Sequence, residues 1–330
     1  MERKTVTKKT RFLQHNNQPL KFISSGCAVL DCVLGGGYAV GRIVNIVGDK
    51  STGKTLLAIE ACANFAKQYD VGLIRYNESE AAFDKPYAAA LGLPLDRVEF
   101  TEGCYTVEEF FFDLDGYIKK AGKSPGFYIL DSLDALSDKA ELERDIDAGS
   151  FGAVKAKKMS ELFRRLVKRL QDSNITLFII SQVRDAIGVT FGDKTSRSGG
   201  RALDFYASQV LYLSQIGTLK RAANGVERPI GLQIKAKCKK NKLGPPLREC
   251  TFDLRFNFGI DDVAANINFL KTVKALSRIK VSEDSITRFT RALEKADKEH
   301  YTAERERIAT AATEEWHKVE QNFLPTRGKY

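Results

Sequence analysis

Ile43-Val44-Asn45-Ile46-Val47-Gly48-Asp49-Lys50-Ser51-Thr52-Gly53-Lys54-Thr55-Leu56-Leu57 decides the fold. Its first five residues form a strand-type apolar run, and Leu56, Leu57, Ile59 and Glu60 open a helical pattern. Between them Gly48 and the triplet Gly53-Lys54-Thr55 take the spacing of a loop that cradles phosphates between strand and helix. The glycines let the backbone curl so that successive N–H groups aim at phosphate oxygens, and the helix N-terminus adds positive potential. Gly48, Asp49, Lys50, Ser51, Thr52 and Gly53 would then surround the phosphates. Lys54 would reach the β and γ phosphates and Thr55 would ligate magnesium, so ATP and Mg2+ are the implied cofactors.

Outward from this loop, short apolar runs alternate with longer amphipathic stretches. The runs are Val71-Gly72-Leu73-Ile74, Phe127-Tyr128-Ile129-Leu130, Thr176-Leu177-Phe178-Ile179-Ile180 and Val210-Leu211-Tyr212-Leu213. Near-continuous apolar strands separated by helices predict an α/β fold, a mostly parallel sheet covered on both faces. Met159, Leu162, Phe163, Leu166, Val167 and Leu170 recur at helical spacing and predict a core-facing helix stripe. The stretch from Gly231 to Leu254 is rich in strand formers and broken at Gly244-Pro245-Pro246, which predicts an antiparallel hairpin at the sheet edge. From about residue 262 helix formers take over, with stripes at Ile286, Phe289, Leu293 and at Ile308, Ala312, Val319, Phe323. The expected division is a basic arm over 1–20, carrying Arg3, Lys4, Lys8, Lys9 and Arg11, an ATPase core over 21–260, and a small helical C-terminal domain over 261–330.

With 330 residues and 43% hydrophobic content the chain can bury a full core, and disorder is excluded as its main state. No apolar run reaches the roughly 18 to 20 residues of a membrane helix. The basic, polar start from Met1 to Lys9 predicts no secretory signal. Cys27, Cys32, Cys62, Cys104, Cys238 and Cys250 lie far apart and only 3 histidines accompany them, which argues against structural zinc. A net charge of +10 favours a polyanionic partner such as nucleic acid.

Three further places carry chemistry. Asp131 closes the apolar run Gly126 to Leu130 at the sheet edge where ligands of parallel sheets bind, so it is the candidate to hold magnesium through water. Glu78 and Glu80 follow the strand at 71–76, and either can orient the attacking water; spacing alone does not choose. Gln182 closes the run 176–180 at the same edge and is placed to sense the γ phosphate. Beyond it, Val183 to Gly200 is a long glycine-rich, polar and basic connection, and a second one runs from Glu141 to Gly152 into Lys155, Lys157 and Lys158. Cations with isolated apolar residues, Phe151, Ile187 and Val189, suit backbone contact and insertion between bases.

These residues together resemble the RecA recombinase family over roughly 21–260. The resemblance rests on Ser24-Ser25-Gly26, Leu30-Asp31, Leu34-Gly35-Gly36-Gly37 and the phosphate loop. It continues in Glu80-Ala81-Ala82-Phe83-Asp84, Leu130-Asp131-Ser132, Ser181-Gln182-Val183-Arg184, Gly199 to Ser208 and Lys240-Asn241-Lys242. It implies that Glu80, not Glu78, activates water, that Tyr87 stacks on adenine beside Asp84, and that Gln182 couples the γ phosphate to the second DNA loop. It also implies that Lys240 and Lys242 reach the ATP of an adjacent subunit, and that Lys157, Arg164, Arg184, Gly199 and Gly200 hold the DNA backbone; Arg197, in the same basic connection, is a further DNA-binding candidate. The first DNA loop is one residue longer than the family's, Lys157 stands where arginine is usual, and the end Pro325 to Tyr330 is not an acidic tail. That divergence suits a phage or plasmid version.

The implied function is a DNA-dependent ATPase that polymerises on single-stranded DNA and pairs it with homologous duplex DNA. Its partners would be those two DNAs and further copies of itself in a helical filament. Accessory single-strand-binding and mediator proteins are allowed but not specified. No membrane is involved, and the expected location is the cytoplasm of a bacterium or of a phage-infected host. A ring-forming helicase or signalling ATPase shares the phosphate loop, Asp131 and a glutamate, and a filament protein that only coats DNA would not need Glu80. The blocks at 182–200 and 240–242 argue against the first.

Overall fold

The computed structural model describes residues 20–79, 83–102, 104–137, 139, 152–185, 195–197 and 200–327. In chain order the strands are β1 (Phe22–Ile23), β2 (Tyr38–Ala39), β3 (Ile43–Gly48), β4 (Leu73–Glu78), β5 (Val98–Glu102), β6 (Gly126–Asp131), β7 (Ile175–Asp185), β8 (Thr195–Arg197), β9 (Gln209–Ala223), β10 (Val226–Asn241), β11 (Glu249–Arg255) and β12 (Gly259–Asp261). The helices are α1 (Ala28–Leu34), α2 (Lys54–Gln68), α3 (Lys85–Ala90), α4 (Val107–Ala121), α5 (Gly152–Asp172), α6 (Gly200–Tyr206), α7 (Asp262–Thr272), α8 (Ile286–Glu294) and α9 (Lys298–Gln321).

The main sheet runs β12-β11-β10-β9-β3-β7-β6-β4-β5, with β8 paired to β7. From β9 through β5 neighbouring strands are parallel, and from β9 outward through β12 they are antiparallel. This is the α/β class expected from the apolar runs. The central strands are near-continuously apolar because both faces are covered, with Asn45 and Thr176 among the buried polar exceptions. Val44 and Ile46 of β3, Phe127 and Ile129 of β6, and Phe178 and Ile180 of β7 enter one core with α1 and α2. Their alternates Ile43 and Val47, Tyr128 and Leu130, and Leu177 and Ile179 enter the other core with α4 and α5. Period-two alternation thus builds both layers from the same strands, and each fully buried aliphatic or Phe side chain contributes roughly 1.5 to 3 kcal/mol.

The helix stripe on α5 is as expected: Met159, Leu162, Phe163, Leu166 and Leu170 are buried. Lys157, Arg164, Arg165 and Lys168 are exposed on its outer side. The hairpin of β10 and β11, turning through Gly244-Pro245-Pro246, is also present. Three readings need correction. The run at 210–213 is only the buried start of a much longer β9, which pairs with β10 out to Val226↔Ala223. The stretch 183–200 is not one loop, because β7 continues to Asp185 and β8 returns against it, Val183↔Arg197 and Asp185↔Thr195. Phe323 does not complete the last apolar stripe; it lies past the end of α9 and is 72% exposed.

The C-terminal helices share a core with α1 and β11: Ile308, Ala312 and Trp316 of α9 join Leu30, Leu34 and Leu254. Arg305 fastens them. It donates to Asp262 Oδ1 and Oδ2 at 3.1 and 2.9 Å and to the Gly26 carbonyl at 3.2 Å. Beside this pair Glu60 of α2 accepts the Ile260 N–H at 2.7 Å. Burial pushes the Glu60 carboxyl up to about 7; Asp262 adds to the effect, and the Ile260 N–H, Arg305 and Lys67 oppose it. A carboxyl raised in the folded state favours folding fully below its unfolded value and loses that contribution as pH rises through about 7. Glu60→Gln keeps an acceptor oxygen for Ile260 and removes the buried charge. It is therefore expected to raise Tm at about pH 8, by roughly 2 to 3 kcal/mol of stability, and to leave it nearly unchanged at about pH 4. Thermal melts of both proteins at the two pH values check this, and equal shifts at both would contradict it.

Candidate nucleotide-binding site

β3 ends at Gly48 and α2 begins at Lys54, so the phosphate loop bridges them as the sequence predicts. Two glycines are required by the packing. A Cβ at Gly48 would lie 2.5 Å from Thr52 Oγ1. One at Gly53, where φ is +83°, would lie 2.2 Å from Leu254 Cδ1. Gly53 is the N-cap of α2 and supplies no side-chain cap. The N-cap thus offers no side-chain acceptor at the place where a phosphate would receive the first N–H groups of the helix.

Lys50, Ser51, Thr52, Gly53, Lys54, Thr55, Asp131 and Gln182, with Leu56 and Ile180, line a cavity of about 300 Å³. Lys54 is buried to 9% exposure, and its Nζ donates to the Asp49 carbonyl at 2.6 Å. Thr52 Oγ1 donates to the same carbonyl at 2.9 Å. Across the cavity Thr55 Oγ1 donates to Asp131 Oδ2 at 2.9 Å, and buried Tyr76 donates its hydroxyl to that oxygen at 2.8 Å. A hydroxyl and a carboxylate set side by side under a ring of N–H donors are the hard oxygen ligands that magnesium takes. The residues present therefore fit a magnesium nucleotide.

Gln182 lines the cavity, and its own main-chain N–H donates to Asp134 Oδ2 at 2.6 Å. Asp134 follows Asp131 on a short 3-10 turn and was not singled out in the sequence. Two carboxylates within four residues after an apolar strand were the available signal. Asp84 caps α3, accepting the Tyr87 N–H at 2.9 Å, and Tyr87 is half-buried; neither lines the phosphate cavity. Glu80, Phe151, Ile187, Val189 and Gly199 lie outside the described residues. Arg184 and Arg197 are placed in β7 and β8, and Gly200 is the first residue of α6. A larger cavity, about 740 Å³, lies between β11, β12 and the C-terminal helices. It has no phosphate loop, so the chemistry is assigned to the smaller one.

Lys240 and Lys242 lie at the opposite edge of the sheet from the loop. Lys240 pairs with Val210, which pairs with Asn45 near the start of β3. Gly48, at the end of β3, pairs with Leu213, which pairs with Ala236. Four residues of β10 separate the two levels, roughly 13 Å along the strand. Lys240 Nζ donates to the carbonyls of Asp204 and, at 2.9 Å, of Phe205. Lys242 Nζ donates to the Phe205 carbonyl at 3.2 Å. Both cations thus sit at the carboxyl end of α6, where helix carbonyls attract positive charge.

A parallel sheet with this loop on a central strand and a Thr–Asp pair beside it defines the class of P-loop nucleotide-binding proteins. Residues 4–261 match the family model of the RecA N-terminal domain. The chain is 34% identical over 256 residues to Protein RecA of Nostoc punctiforme, covering 78% of this chain and 68% of that one. The proteins of the same name from Prochlorococcus marinus and a Synechococcus species are also 34% identical over 256 residues, with 65% and 64% of their lengths covered. The chain thus spans about two thirds of the length of these curated relatives. It belongs to the RecA family.

Proposed function

We propose that the protein is a DNA-dependent ATPase recombinase that polymerises on single-stranded DNA and promotes homologous pairing and strand exchange in the cytoplasm. The observation that carries the filament reading is the distance between the phosphate loop and Lys240 and Lys242. A cation pair at the far edge of the sheet cannot serve its own loop, and head-to-tail stacking of identical subunits brings one edge against the other.

In this reading Lys54 leaves the Asp49 carbonyl for the β and γ phosphates, and the N–H groups of the loop and α2 receive the remaining oxygens. Thr55 would hold the metal and Asp131 would hold it through water, and the bound ion would neutralise charge that concentrates on the phosphates. Glu80 orients water and takes its proton, while Lys240 and Lys242 arrive from the neighbouring copy. Because those cations interact most strongly with a triphosphate, ATP favours the assembled state and hydrolysis loosens it. Asp84 and Tyr87 are assigned to the adenine end.

The same nucleotide governs DNA. Gln182 faces the cavity, and its strand runs on through Arg184 into the β7–β8 hairpin, so a shift at the γ phosphate moves the base of that hairpin. Lys157, Arg164, Arg184, Arg197, Gly199 and Gly200 would hold the backbone, with Phe151, Ile187 and Val189 between bases. Sequence choice is left to base pairing.

Glu80→Gln is expected to lower phosphate release by about 10²- to 10⁴-fold, the usual worth of a general base, while leaving ATP-stabilised filaments visible by light scattering. Undiminished turnover would contradict the assignment. The reading as a whole is tested by ATP hydrolysis with and without single-stranded DNA, followed by joint-molecule formation with a homologous duplex. DNA-stimulated hydrolysis with no joint molecules would favour a helicase-type ATPase instead.

A further inference from the structure

The hydroxyl of Tyr76 has no packing role that a phenylalanine would not fill. The ring is fully buried, lies 4.6 Å from Phe83 with the two planes tilted at 58°, and lies 6.1 Å from Phe100. Its O–H nevertheless points at Asp131 Oδ2, the oxygen that also accepts from Thr55.

Resting on the nucleotide-site reading, we propose that Tyr76 is a positioning residue for magnesium, fixing the rotamer of Asp131 so that the carboxylate stays turned toward the metal. A carboxylate on a strand end rotates about its terminal bond unless something holds one oxygen. Thr55 holds it only while its hydroxyl donates to Asp131. A Thr55 hydroxyl that gave a lone pair to a metal could keep donating to Asp131, and Tyr76 holds the same oxygen from the neighbouring strand, so the carboxylate is held from two sides. Tyr76 and Asp131 lie on neighbouring strands, where Tyr76 pairs with Ile129 and Glu78 with Asp131. The contact is therefore anchored by main-chain pairing at both ends. Partners of a metal-holding carboxylate commonly set its affinity by ten- to a hundred-fold.

The ring also meets Phe83, which with Asp84 lies just beyond the segment carrying Glu80. Tyr76→Phe leaves that ring contact in place and removes the hydroxyl alone, which isolates the effect on the metal.

The test is thermal melting of the full chain with ADP across a magnesium titration, with EDTA as the zero point. Tyr76→Phe is expected to match wild type with ADP in EDTA and to need about ten times more magnesium for half of the metal-dependent rise in Tm. A uniform drop in Tm with an unchanged magnesium midpoint would mean a merely structural role and overturns the inference. In an Asp131→Asn background the same change should add no further shift, and an additive second shift likewise overturns it. Wild type lacking any magnesium-dependent rise with ADP would instead defeat the nucleotide-site reading on which the inference stands.

Discussion

Lys54→Ala is expected to lower ATP turnover by at least about a thousand-fold and to abolish ATP-stabilised assembly. The ammonium is a buried cation of the cavity, and it donates to a main-chain carbonyl 2.6 Å away. Its removal strips the positive charge that faces the phosphates. Alanine truncates the side chain without crowding the loop, so stability is expected to change little while the chemistry collapses. Phosphate release and fluorescent-nucleotide binding measure the first effect, and a thermal melt without nucleotide measures the second. A variant that melts like wild type and still turns over at a comparable rate would remove the phosphate loop from the account.

The second large effect is expected from Lys240→Ala with Lys242→Ala. Cations supplied in trans to a phosphoryl group are worth about 10³ to 10⁵ in rate, so hydrolysis on single-stranded DNA should fall by at least a thousand-fold. Monomer affinity for nucleotide should stay near wild type, because both lysines sit at the carboxyl end of α6, far from the loop of their own chain. Loss of the α6 carbonyl contacts should cost only a little stability, since the lysines are partly or fully exposed there. A parallel loss of monomer binding would place the lysines in cis, against the strand register.

Much of the fold and the loop was legible because both depend on local pattern. Apolar runs give strands buried on both faces, and the glycine spacing of the loop is forced by contacts at Gly48 and Gly53 that any side chain would violate. The β9–β10 arm was missed although its signal was present: Asn224 and Gly225, at φ +52° and +78°, form the tight turn that joins two strands. The hydrophobic pattern faded there because the outer arm is exposed, and composition without alternation reads as loop. The contacts of Tyr76 with Asp131 and Asp134 with Gln182 were illegible for another reason. They join residues 55 and 48 apart in the chain, and only the parallel register brings them together. The stalk of the β7–β8 hairpin was hidden because three-residue pairing leaves too short a pattern to see.

The most direct test of the shared-nucleotide arrangement is a mixture. Lys54→Ala protein and the Lys240→Ala, Lys242→Ala protein, each inactive alone, are combined in equal amounts on single-stranded DNA and assayed for phosphate release. If loop and lysines belong to different copies, random co-assembly makes about a quarter of the interfaces complete, and hydrolysis returns to about that fraction of wild type. Continued inactivity of a mixture shown to co-assemble would mean that each nucleotide is served by one copy alone.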